Sequence, residues 1–170
     1  MSVTTLYDYA AELLAACETA LGTTEGGVPA ISYVGVANPA LDCPEQLTVH
    51  VANLALDPNV GINQDIQLSK AYRSMLTMIA TIVRCTPQPK GFNATPPSPA
   101  ELEALASKVD QDLWAIWNYL AGLLCTEPVG IFIGCSNTRF NVAQPQFESG
   151  RSAGWQFSVS TIIPAYTVVP

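Results

Sequence analysis

QLSKAYRSMLTMIATIVRCTP, Gln67 to Pro87, is the stretch on which the fold turns. As a helix it would line up Met75, Ile79, Ile82 and Val83 on one face; as a strand it alternates Thr77, Ile79, Thr81 and Val83. Branching at Cβ restricts χ1 against the preceding helical turn but packs well on a pleated surface, so one long strand is the preferred reading. The Pro-rich PQPKGFNATPP that follows can continue neither element.

A long strand needs neighbours, and the flanking sequence offers them. Upstream, AISYVGVA and EQLTVHVANLAL read as strands, the second with Leu47, Val49 and Val51 on one face. Between them NPALDCP has the residues of a turn. Downstream, GIFIGC, RFNVAQ and WQFSVSTIIP are extended runs; in the last, Trp155, Phe157, Val159 and Thr161 share one side while Gln156, Ser158 and Ser160 share the other. Two helices complete the pattern. In TTLYDYAAELLAACETALG, Thr4 or Thr5 can cap a helix whose apolar residues Leu6, Ala10, Leu13, Leu14, Cys17 and Leu21 lead to a stop at Gly22. In SPAELEALASKVDQDLWAIWNYLAGLLC, residues 98–125, Ser98, Pro99 and Glu101 spell a capping box with Pro at the first helical position. The stripe Leu102, Leu105, Ala106, Val109, Leu113, Ile116, Trp117, Leu120 and Leu124 follows at helical spacing. At about 1.5 Å per residue it runs about 40 Å and calls for a sheet to cover. The expectation is an α+β fold, an antiparallel sheet packed with an N-terminal helix and a long helix near 98–125, in one domain spanning 1–170.

Composition narrows the function. The chain of 170 residues is 49% hydrophobic, with 13 Pro, 11 Gly and a formal charge of −7. Its seven basic residues are scattered, so no cationic stripe is available to follow a phosphate backbone. Five cysteines without a CxxC pair, and a single histidine, argue against zinc; the N-terminus lacks a signal-peptide pattern, so the thiols are expected to be reduced. No apolar run approaches the length of a membrane span.

Candidate chemistry is sparse. His50 lies on the polar side of its strand with no nucleophile motif to serve, and reads as a surface or interface residue. Asp110 and Asp112, two apart on a helix, diverge and read as a solvated face. Asp57 and Asp65 lack EF-hand spacing, and Gly26, Gly27 and Gly35 form no phosphate loop. Trp114 and Trp117 stack along the long helix and read as packing residues, one of them exposed. No catalytic residue, cofactor or metal site is expected; the chain is read as a non-enzymatic protein that acts by contact.

Four stretches, in order, resemble the tail terminator proteins of long-tailed phages, above all those infecting actinobacteria. They are Asp42 and Cys43 ahead of Gln46, Leu47 and Val49; Arg84, Cys85 and Pro87 closing a strand; Pro96 and Pro97 leading a helix with internal Asp112; and Gly150, Ala153, Gly154 and Trp155 before the final strand. The chain departs from that family in a single Cys after Asp42 and in the pair Arg151 and Ser152 within the last turn. The resemblance implies a hexameric ring in the virion neck, assembled in the host cytoplasm, that caps the tail tube and stops its polymerisation. Its partners would be further copies of itself, the tail tube protein and the head–tail connector or stopper. Arg139, Gly150, Arg151, Gly154 and Trp155 are the candidate residues for subunit or partner contacts, with small residues allowing close approach of backbones. DNA would pass through the bore without specific binding, repelled by acidic side chains. The loops 58–64 and 86–95 are candidates to reach tube or connector. The alternatives are a head-completion stopper or a small cytoplasmic binding domain.

Overall fold

A computed structural model describes residues 5–37, 44–56, 73–89, 95–125, 138–144 and 152–164. Among them the order is α1 (Leu6–Leu21), β1 (Ile31–Gly35), β2 (Gln46–Leu56), β3 (Arg73–Cys85), α2 (Pro99–Cys125), β4 (Thr138–Ala143) and β5 (Ser152–Pro164). Gln67–Pro87 therefore contains a strand, as its branching favours, and the fold is α+β: two helices on a five-stranded, mostly antiparallel sheet.

The strands lie in the order β1-β2-β3-β5-β4. β3 is central, paired along its whole length with β5 and over most of it with β2, the register slipping at a bulge between Val51 and Asn53. The sheet is antiparallel throughout but for one pair. β1 and β2 run parallel, Ile31 opposite Gln46 and Gly35 opposite His50; of NPALDCP between them, residues 38–43 lie outside the described residues. Turn-forming residues mark a change of direction but do not say whether the next strand runs back or restarts alongside. The run GIFIGC falls outside the described residues.

Both helices cover one face. Leu47 and Val49 of β2, Leu76, Met78, Ala80 and Ile82 of β3, and Phe157, Val159 and Ile163 of β5 meet Ala10, Leu13, Cys17 and Leu21 of α1 and Ile116 and Leu120 of α2. The core side of β3 is thus the even-numbered row; Thr77, Ile79, Thr81 and Val83 point to the helix-free face.

The helix ends follow from local chemistry. Thr5 and Asp8 form a reciprocal capping box at the start of α1, and the Asp8 carboxyl is held below its usual range by the Thr5 backbone N–H and hydroxyl. At α2, Ser98 and Glu101 exchange the same pair of bonds at 3.3 and 2.8 Å. The apolar stripe expected along α2 is shorter than its sequence: Leu102 and Ala106 are exposed, and burial starts at Val109. Among the described residues the first turns of α2 have little to cover, Leu105 alone of their stripe being half-buried.

Candidate functional site

The sheet has two ends among the described residues, and each is dressed with exposed apolar side chains. At one end β4 alternates, Arg139, Asn141 and Ala143 outward on the helix-free side and Phe140 and Val142 partly buried under α2. Phe140 stacks on Phe157 with ring centroids 5.8 Å apart and meets Trp117 at 4.7 Å. Trp117 stays 36% exposed and Trp114, one turn back, 54%. At the other end β1 exposes Ile31 and Tyr33, followed by Val36. Aromatic side chains that stay wet on a folded chain are the ones enriched in protein interfaces.

The backbone of β4 shows how its outer rim is arranged. Val142 N–H donates to its neighbour's side chain, Asn141 Oδ1, at 2.9 Å. In an antiparallel strand alternate residues turn both polar backbone groups to the same side. Val142 therefore faces away from β5, and its N–H is satisfied by a side chain that can move.

Of the residues expected at contacts, Arg139 lies on this edge strand, opposite Ser160 of β5. Gly150 and Arg151 lie outside the described residues. Gly154 and Trp155 are inside β5, which is flanked by β3 and β4, so the final turn gives way to strand earlier than its glycines imply. Gly154 (φ 158°) faces Val83, and a Cβ there would collide with the Ile82 carbonyl. Trp155 sits against α2 and donates its indole N–H to Val109 O at 3.0 Å. Both residues hold β5 to its own chain. The loop 58–64 is outside the described residues, as are 90–94.

The strongest electrostatic feature was not expected. Arg84, at the end of the core row of β3, is fully buried and binds Asp112 of α2 through Nε (2.7 Å) and Nη2 (3.0 Å). It also donates to Glu45 Oε2 (2.9 Å) and to the Gly27 carbonyl (2.6 Å). Gly27 adopts φ 59°, a left-handed conformation that suits glycine. Lys108 closes the network on Glu45 at 2.9 Å. Asp112 is thus a buried partner, correcting its reading as a solvated face; Asp110 is exposed. Burial opposes charge on the Arg84 guanidinium, but its bonds to Asp112 and Glu45 outweigh that and raise its pKa. Burial likewise pushes Glu45 upward, and the bonds from Lys108 and Arg84 bring it below the ordinary carboxylate range. Two cations meet two anions, so the cluster joins β2, β3, α2 and the loop after α1 without offering a free charge to a ligand.

His50 also departs from expectation. It is on the polar face, as its strand pattern implies, yet buried, with Nδ1 unpartnered; the neighbouring Thr48 Oγ1 is in the same condition. Burial lowers the imidazole pKa. Hydroxyls and amides pair on that face beside Ile79 and Val83: Thr77 and Ser160 at 2.9 Å, and Gln156 to Thr81 at 3.4 Å.

Cysteine chemistry divides. Cys17 is a buried thiol pushed up to about 12 by desolvation. Cys85 is disulfide-bonded, which corrects the expectation of reduced thiols throughout. Its partner is not among the cysteines whose side chains are described. Spacing along the chain carries no information on which thiols meet in space. Among the described residues no three His, Cys, Asp or Glu side chains gather to hold a metal ion, and no helix is long and apolar enough to cross a membrane. Compared with known protein families and with curated proteins, the chain matches none.

Proposed function

We propose that this chain is a structural protein of a phage virion, a tail terminator that assembles as a ring at the head-proximal end of the tail tube. It halts tube growth there and joins the tail to the head connector. The observation that carries the reading is that β1 and β4, the two end strands of the sheet, have no outer partner strand among the described residues. A ring needs heterologous contacts, one surface of each copy fitting a different surface of the next. β1 and β4 offer two such surfaces on opposite ends of one sheet. The ordered likeness of the four sequence stretches to the terminator family points the same way.

Charge adds a constraint. The acids of the described residues sit on the helices and beside them: Asp8, Glu12 and Glu18 on α1, Glu101, Glu103 and Asp110 on α2, Glu25 and Glu45 nearby. The described part of the other face carries hydroxyls, amides, His50, Arg139 and apolar residues such as Ile79 and Val83, but no acid. A passage lined by acids therefore requires the helical layer to face the DNA.

The test is electron microscopy of lysates from a phage lacking this protein. Tails of abnormal length beside unjoined, filled heads are expected. Normal tails joined to heads, or immunogold label away from the neck, overturn the reading.

A further inference from the structure

We propose that copies of this chain join by strand addition, the outer edge of β4 of one copy pairing antiparallel with the outer edge of β1 of the next.

Strand direction is the first argument. With β1 and β2 parallel and every later neighbour antiparallel, β1 and β4 point in opposite directions at the two ends of the sheet. Two copies set side by side in the same orientation therefore bring β4 against β1 antiparallel, the more stable pairing per residue. The repeat of that contact is head to tail, and every copy keeps its helices on the same side. Had β1 run antiparallel to β2, the same juxtaposition would give a parallel seam.

Size and surface agree. β1 has five residues and β4 six, so each can be covered along its length by the other. Beyond the backbone, exposed Trp114 and Trp117 border β4 on the helical side, whereas Ile31 and Tyr33 of β1 lie on the opposite face, in register with Gln46 and Thr48. A seam of β4 and β1 would therefore shield apolar groups on both of its faces, the tryptophans on the helical side and Ile31 and Tyr33 on the other.

Asn141 explains why a free copy tolerates the edge. An uncovered strand edge is a template for uncontrolled pairing. Here the outward Val142 N–H is occupied by the Asn141 side chain, a local bond that an incoming carbonyl can displace. The edge is thereby blunted in the single copy and open to a strand that brings further contacts.

The proposal deepens the ring reading and rests on it for closure; its own test does not use the virion. Val142→Pro deletes the outward N–H while leaving the β5 side of β4 alone, since proline is tolerated at edge positions whose N–H does not enter the ladder. Sedimentation velocity across a concentration series is expected to show assemblies of the wild-type chain. For the variant it should show association weakened at least about tenfold relative to Val142→Ala, which loses the same packing but keeps the N–H, with far-UV circular dichroism kept in both. In parallel, Tyr33→Cys and Arg139→Cys chains are treated with a bifunctional maleimide, wild type serving as background. Cross-linked dimers are expected only when the two variants are mixed. A wild-type chain monomeric at its solubility limit, a Val142→Pro chain that assembles normally, or dimers from Arg139→Cys alone each overturn the proposal. A neck-located ring with an indifferent Val142→Pro variant would sink the edge pairing and spare the terminator reading. Edge-paired copies absent from the neck would do the reverse.

Discussion

Arg84 and Asp112 show what a single buried pair does to this chain. Removing one partner strands the other charge in the core, so Asp112→Ala should cost about 3–5 kcal/mol, measured as a shift in the urea midpoint. Acid sensitivity has residue-level sources in two windows, His50 in the upper and the lowered carboxyls Glu45 and Asp8 in the lower. His50 has a folded pKa below its ordinary 6.5, so the unfolded chain binds the proton first and stability falls as pH drops below about 6.5. Glu45 is lowered from 4.5, so its contribution is complete above that value and is lost as pH falls through the folded pKa. Urea midpoints against pH should lose the upper slope in His50→Asn and show a shallower lower slope in Glu45→Gln, Asp8 keeping part of it; an unchanged profile in either variant refutes its assignment. Gly154→Ala drives a methyl into the Ile82 carbonyl and should cost at least about 1–3 kcal/mol, more where the strands must separate.

At the scale of elements, α2 is two helices in energetic terms. Its first turns leave Leu102 and Ala106 exposed and Leu105 half-buried, and from Val109 onward it closes the core. Leu102→Ala should therefore shift the unfolding midpoint by less than about 0.5 kcal/mol, whereas Ile116→Ala, emptying a site with no exposure, should cost about 2–5 kcal/mol. Equal effects would mean the first turns pack against something in solution. The trace of this division in the sequence is faint. Leu102, Leu105 and Ala106 keep helical spacing with the buried residues, and only how much they cover in the fold separates the two groups. The central strand β3 was legible because it is β-branched on one row and apolar on the other, and both rows are local properties.

For the whole molecule, the disulfide at Cys85 and the two end strands of the sheet are the features that reach beyond one element. In an intact chain Cys85 should resist alkylation until reduced, and Cys17 should resist it until the chain unfolds, a pattern mass spectrometry of peptides reads directly. Reduction should lower stability by about 2–4 kcal/mol. Labelling of Cys85 without reductant would refute the bond. The candidate contact surface was half legible in the sequence. Arg139 falls on an exposed edge strand, but Gly154 and Trp155 prove to be internal fastenings. Glycine beside tryptophan signals close approach without saying to which backbone, and β3, the strand approached, is remote in sequence.

The sequence by itself determined the elements and their inner faces, because capping boxes, alternation and helical spacing act between residues a few positions apart. It also held an unread clue: Arg84 continues the apolar row Leu76, Met78, Ala80, Ile82, and Asp112 lies between Val109 and Ile116 on the apolar stripe. A charge of each sign on faces bound for the core is a buried pair in waiting. Tertiary structure alone decided the parallel entry of β1, the place of β5 inside the sheet, the burial of His50 and which strands end the sheet among the described residues. Those depend on which distant segments meet, and backbone pairing is blind to side-chain pattern.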